Sequence, residues 1–203
     1  MKLGIIDYGR GNLRSVVNAC HSLGHDAQII SAPEHFDDLS HIICPGQGAF
    51  GDCMGSLNRL GLSAPLKEWI QADRPYFGIC VGYQLLFENS EESPGINGLG
   101  VVKGTVRRFQ SSELKIPHMG WNAAAALKPE HPYWKDLDGA HYFYFIHSYY
   151  PDPSDLDIAA TRTTYGQPFT SAIQRGRLLA TQFHPEKSQH AGLTMLRNFL
   201  DTD

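Results

Sequence analysis

The first ninety residues alternate between short runs that are apolar throughout and longer stretches in which apolar residues recur every three or four positions. Lys2–Asp7 is the first short run and stops at Tyr8-Gly9-Arg10-Gly11. Asn12 then offers a helix N-cap, and Leu13, Val16, Val17 and Cys20 fall on one helical face that ends at Gly24. Ala27–Ile30 and His41–Cys44 read as strands, the second closed by Pro45-Gly46. A helical stretch carrying Leu57, Leu60, Leu66, Trp69 and Ile70 follows, broken by Gly61 and Pro65. Tyr76–Ile79 is another buried strand, and Tyr83–Glu88 opens the next helix. The order is β-α-β-β-α-β-α, with strands apolar on both faces. That pattern predicts an α/β fold, an open and mainly parallel sheet covered by helices.

The second half is richer in strands. Val101–Phe109, His141–Tyr149, Asp157–Thr163, Thr170–Gln174 and Leu178–Phe183 all carry β-branched or aromatic residues. Gly176-Arg177 reads as a tight hairpin link between the last two. Ser188 is placed to cap a final helix whose Leu193, Leu196, Phe199 and Leu200 face the core. No repeat, low-complexity tract or linker interrupts the 203 residues, so one domain over 1–203 is expected.

Composition narrows the field further. Apolar residues make up 42% of the chain and charged ones 19%, the balance of a folded globule rather than a disordered chain. The net charge is −4 and no basic stripe occurs, so no nucleic-acid partner is expected. No segment approaches the ~20 apolar residues needed to span a bilayer, and MKLGIIDYG lacks a signal-peptide pattern; a cytoplasmic location is expected. Cys20, Cys44, Cys53 and Cys80 make no CxxC pair and read as reduced thiols. The ten histidines show no HExxH or other ligand spacing, so neither a metal nor another cofactor is expected.

Three segments carry chemistry. Gly78-Ile79-Cys80-Val81-Gly82 has the form of a nucleophile elbow, a sharp strand-to-helix turn that lifts one side chain above a sheet. The glycines let neighbouring backbone approach a residue in a strained conformation, and a helix start favours thiolate. Alone, the motif fits a buried core cysteine better than a nucleophile. The second segment is His184-Pro185-Glu186, at the carboxyl end of an apolar strand, where ligands bind in open α/β sheets. A thiol needs a base, and the base needs a carboxylate to hold its tautomer; His184 and Glu186 supply both. The third, Pro45-Gly46-Gln47-Gly48-Ala49-Phe50, also follows a strand, and its glycines allow backbone N–H groups to turn toward a developing oxyanion.

PGQGAF, GICVGYQ and FHPEKS, in this order, resemble the class I, triad-type glutamine amidotransferases. PHMGWN at 117–122 and YFIHSYY at 144–150 narrow the resemblance to the glutaminase subunits of imidazole glycerol phosphate synthases, over essentially the whole chain. The family pattern usually has Val at Gln47, Leu at Val81 and Met at Tyr83. The resemblance implies Cys80 as nucleophile, His184 as base and Glu186 as its orienting carboxylate. It places oxyanion donors at Val81 and near Gln47, in a segment expected to rearrange. It assigns the glutamine site to Gly46, Gly48, Gln84, Glu92, Ser148 and Tyr149. It also implies a heterodimer with a (β/α)₈-barrel cyclase that receives ammonia, docked through Asn12, Trp121, Tyr144 and Lys187.

Several alternatives stay open at this point. Glu92 lies in an acidic run, Glu88–Glu92, that fits a solvated face as well as a counter-charge for an α-ammonium. Trp121 and Tyr144 fit core packing as well as docking. The same chemistry would serve a different acceptor pathway, and a non-catalytic sensor could keep an elbow cysteine. The distant His-Pro-Glu argues against the sensor.

Overall fold

The computed structural model describes residues 1–110 and 114–202. In its first half, β1 (Leu3–Ile6), α1 (Leu13–Ser22), β2 (Ala27–Ile30), β3 (His41–Gly46), α2 (Phe50–Arg59), α3 (Ser63–Gln71), β4 (Tyr76–Cys80) and α4 (Val81–Gln84) follow one another. The second half adds β5 (Asn89–Ser90), β6 (Gly104–Arg108), β7 (His118–Ala126), β8 (Ala140–His147) and β9 (Tyr149–Pro153). It closes with β10 (Ala159–Tyr165), β11 (Gln167–Arg175), β12 (Leu178–Thr181) and α5 (Gln189–Leu200).

β1, β3, β4 and β12 are buried along their whole length, as the uninterrupted apolar runs require of strands covered on both faces. They lie in a nine-stranded sheet of order β2-β1-β3-β4-β12-β11-β10-β7-β8. The pairs from β2 to β12 are parallel. Those from β12 to β8 are antiparallel and come entirely from the second half of the chain. β5, β6 and β9 form a separate three-stranded sheet. Pairing of Leu178 with Arg175 and of Ala180 with Ile173 confirms the hairpin at Gly176-Arg177, where Gly176 takes φ 55°.

Several elements differ from the sequence expectation, each for a local reason. Gly61, at φ 69°, does separate α2 from α3, but Pro65 sits in the first turn of α3, where a missing N–H breaks no helical bond. The helix expected over Tyr83–Glu88 is a single turn, α4. Beyond it the carbonyls of Leu85, Leu86 and Phe87 are taken by the N–H groups of Leu99, Val101 and Gly100 rather than by a continuing helix. Val101–Phe109 narrows to β6. His141–Tyr149 divides at Ser148, with β8 entering the large sheet and β9 the small one. Asp157–Thr163 begins with a 3-10 turn over Leu156–Ile158 before β10. β7 had no counterpart in the pattern: His118-Met-Gly-Trp-Asn followed by alanines has poor strand propensity, and pairing with β8 from His118↔His147 to Ala125↔Ala140 imposes it. Ser188 stands at the N-cap of α5 but makes no cap bond there. Its hydroxyl donates to the His184 carbonyl at 2.6 Å and accepts the Tyr144 N–H at 2.9 Å.

α5 is seated directly under the His184-Pro185-Glu186 turn. A Cβ on Gly192 would overlap the Pro185 carbonyl oxygen. Gly192→Ala is expected to cost about 1–3 kcal/mol through overpacking against rigid backbone, read as a lowered midpoint in thermal or urea unfolding.

Candidate active site

β3, β4 and β12 run side by side in parallel, so their carboxyl ends come out on one edge of the sheet. Gly46 is paired with Cys80, and Thr181 with Ile79, which sets the residues after β12 beside the end of β4. Two residues 104 positions apart in the chain, Cys80 and His184, thereby reach one crevice.

Cys80 stands at φ 56°, ψ −110°, a conformation that costs about 1–3 kcal/mol for a residue with a side chain. The flanking glycines are what make it tenable. A Cβ on Gly82 would overlap the Cys44 carbonyl oxygen, and one on Gly78 would lie 2.7 Å from the Gly82 oxygen. The strand therefore turns into α4 within one residue, pressed against β3, and the thiol stands at the turn. Cys80 is 5% exposed, so it is buried in area but faces the cavity.

His184 follows β12 and is anchored by its N–H to the Tyr144 carbonyl at 3.0 Å. Its Nδ1 lies 2.8 Å from Glu186 Oε1, with both side chains almost wholly enclosed. A carboxylate can only accept, so Nδ1 carries the proton and Nε2 is turned away from Glu186. Nε2 has no hydrogen-bond partner among the described residues. Burial alone would lower the imidazole pKa. The adjacent Cys80 sulfur and the Glu186 carboxylate outweigh it and raise His184 to about 10. A thiol, a base that holds its proton, and a buried carboxylate that orients the base are the components of nucleophilic acyl transfer.

The cavity over these groups has a volume of about 300 Å³. Gln47, Gly48 and Val81 line it on the elbow side; Gln84, Glu92, Ser148 and Tyr149 complete the walls. Gly46 is not in the wall: it is packed against Tyr8, Val81 and the Gly82 backbone, where a Cβ has no room. Glu186 lies behind His184. Glu92 is no solvated residue of an acidic face, since its Oε2 accepts the Phe50 N–H at 2.7 Å at the start of α2 while bordering the cavity. Gln84 spends its Nε2 on the Tyr149 carbonyl at 3.2 Å and on Gln182 Oε1 at 3.0 Å.

Of the four residues assigned to docking, three come together. Trp121 and Tyr144 are cross-strand partners with rings 6.2 Å apart, and Lys187 Nζ lies 6.0 Å from the Tyr144 ring. Trp121 is 47% exposed, which removes it from the core. Asn12 is the N-cap of α1, bonded within its own cap to the Ser15 N–H and hydroxyl, and α1 packs against the turn that carries Lys187.

Pro117, Ile146 and His147 also line the cavity and were not singled out from the sequence. Gln182, whose Nε2 lies 3.7 Å from Cys80 Sγ, was likewise missed. The available signal for Gln182 was a long polar side chain directly after a buried strand, LLATQF.

A family model described as glutamine amidotransferase class-I matches residues 4–202. The chain is 43% identical to the imidazole glycerol phosphate synthase subunit HisH of Syntrophotalea carbinolica, covering 97% of this chain and 98% of that one. It is 45% identical to the HisH subunit of Methanothermobacter thermautotrophicus, covering 98% of each. Among solved structures, PurLQS from Thermotoga maritima superposes with a TM-score of 0.79 at 17% identity, over 98% of this chain and 97% of that chain. A structure described as a glutamine amidotransferase gives 0.75 at 21% identity, over 99% and 98%. At those identities the structural likeness concerns the fold.

The raised His184 pKa has a consequence for stability. A group whose folded pKa lies above its unfolded value contributes fully below the unfolded value, near 6.5, and loses that contribution as pH rises toward about 10. The stability difference between wild type and His184→Gln, measured by urea unfolding, is expected to be largest below pH 6.5 and to shrink steadily to pH 10.

Proposed function

The chain belongs to the class-I glutamine amidotransferase family and, within it, to the HisH subunits of imidazole glycerol phosphate synthase; from that premise we propose that Cys80, His184 and Glu186 hydrolyse glutamine and that the ammonia passes to a cyclase partner. The observation that carries this is the single cavity lined by both the elbow sulfur and an imidazole whose far nitrogen is locked on a buried carboxylate.

Cys80 Sγ, its proton already passed to His184 Nε2, attacks the side-chain amide carbon of glutamine. The oxyanion that forms is met by backbone N–H groups of Val81 and the Gln47 segment. Collapse breaks the C–N bond, His184 returns the proton to the leaving nitrogen, and ammonia departs from a glutamyl thioester. Water, deprotonated by His184, then attacks the thioester carbon and releases glutamate and the thiol. The charge that meets the substrate α-ammonium is Glu92. Gln84, Ser148 and Tyr149 surround the remainder of the amino acid, Gly48 keeps the elbow side open, and Gly46 allows the close packing behind it.

Ammonia free in water becomes ammonium and loses its nucleophilicity, so a tightly docked acceptor enzyme fits this chemistry. The partner is a (β/α)₈-barrel cyclase in a heterodimer, which adds the ammonia to a phosphoribulosyl-formimino carboxamide and yields imidazole glycerol phosphate and aminoimidazole carboxamide ribotide. Trp121, Tyr144, Lys187 and Asn12 form its docking face, and the whole chain, 1–203, acts as one glutaminase domain.

The test is glutamine hydrolysis measured with and without the cyclase and its substrate. Cys80→Ala is expected to lower turnover at least about a thousandfold in both conditions. Stimulation by a synthase of a different pathway, and not by the cyclase, would reassign the acceptor; no modification of Cys80 by a glutamine-analogue electrophile would leave only a sensor. Lys187→Ala is expected to reduce partner-stimulated turnover while leaving the unstimulated rate within about twofold. Equal loss in both would remove Lys187 from docking.

A further inference from the structure

The Cys80 sulfur has a polar neighbour that the mechanism above does not use. Gln182 is the residue after β12, fully buried, and the β4–β12 register sets it beside Cys80. Its Nε2 donates to Sγ at 3.7 Å.

The direction of this bond is not arbitrary. The two ends of a carboxamide have nearly the same shape, so only its partners decide which end points where. The Tyr149 carbonyl can only accept, and it takes His147 Nδ1 at 2.8 Å and Gln84 Nε2 at 3.2 Å. Gln84 must therefore present its NH₂ there, and the same NH₂ reaches Gln182 at 3.0 Å. Gln182 must answer with its oxygen, which leaves its NH₂ for the sulfur.

The anchor at Tyr149 is itself held from farther out. With its proton on Nδ1, His147 accepts at Nε2 from His118 Nδ1 at 2.9 Å. His118 in turn accepts at Nε2 from Asn122 Nδ2 at 3.2 Å, and Asn122 also donates to the Thr164 carbonyl at 2.9 Å. Burial lowers His118 to about 4, and burial first among several causes lowers His147 to about 3, so both rings are neutral at ordinary pH and the string keeps its sense.

We propose that Gln182 is a further catalytic residue: its carboxamide N–H, aimed by Gln84, stabilises the Cys80 thiolate left when the proton passes to His184. This rests on the glutaminase reading and adds a donor to it. A thiolate in a closed site has lost its water, and a preset N–H replaces part of that solvation without reorganising. Gln84, His147 and His118 act through Gln182 and are positioning residues.

The test is alkylation of Cys80 by iodoacetamide across a pH range of about 5–9 in the full chain, followed by mass spectrometry. Gln182→Met keeps the length and removes the donor. It is expected to lower the rate near neutral pH about tenfold, the scale of a lost hydrogen bond to a charged group, and to move the profile to higher pH. Gln182→Glu is expected to move it in the same direction. Folding of each variant is checked by circular dichroism. A second measurement needs no substitution at Gln182: in wild type, one glutamine side-chain amide signal, observed by ¹⁵N NMR, is expected to move with pH in step with the alkylation profile. It should stand still in Cys80→Ala. Folded variants whose profiles overlay the wild type, or no amide signal that follows Cys80, would overturn the role of Gln182. A wild-type Cys80 that reacts as an ordinary thiol in a protein unable to hydrolyse glutamine would instead overturn the glutaminase reading.

Discussion

The approach of the Gly82 backbone to the Cys44 carbonyl is the contact on which the site depends. Only a residue without a side chain can occupy that position, and only with β3 and α4 so close can Cys80 be held at φ 56°. The strain is local, but what over-determines it is the parallel core of the sheet. Ile42, Ile43, Phe77 and Leu179 are fully buried in the strands that lead to Gly46, Cys80 and His184. Packing energy from that core keeps an unfavourable backbone conformation in place, and the result is a sulfur at the rim of a crevice instead of inside a strand.

Burial acts on the histidines of this protein in opposite senses, and the partner decides which. His184 is enclosed with a carboxylate on Nδ1 and a sulfur beside it, so it is pushed up to about 10. His147 is equally enclosed, but its Nδ1 meets a carbonyl and its Nε2 meets another imidazole, so it falls to about 3. A neutral carbonyl cannot offset the loss of hydration of an imidazolium; a carboxylate can. The two rings border the same cavity, one paired with a carboxylate and the other held in a fixed direction of hydrogen bonding.

The antiparallel half of the sheet grips His184 as firmly as the parallel half. Tyr144 of β8 accepts the His184 N–H, and its own N–H goes to the Ser188 hydroxyl, which returns to the His184 carbonyl. The side chain of the same Tyr144 belongs to the aromatic group with Trp121 and Lys187. A backbone ladder therefore joins the exposed aromatic face to the His184 imidazole through one residue.

Much was legible in the chain because its signals are short-range. Apolar runs and helical spacing determined the α/β character, the pair Gly78 and Gly82 around Cys80 marked the elbow, and His184 stood two residues from the carboxylate that orients it. The thiol, imidazole and carboxylate of the candidate site were named by residue type alone. What tertiary structure decided was every relation across distance. It brought Cys80 to His184 through the β4–β12 register, made a strand of the alanine-rich β7, shortened the helix after the elbow, and moved the Ser188 hydroxyl from a cap to a tie. It also gave Gln182 and His147 their place, because a buried amide or imidazole acquires meaning only from partners that lie on other strands, and no spacing along one strand reveals which partners those will be.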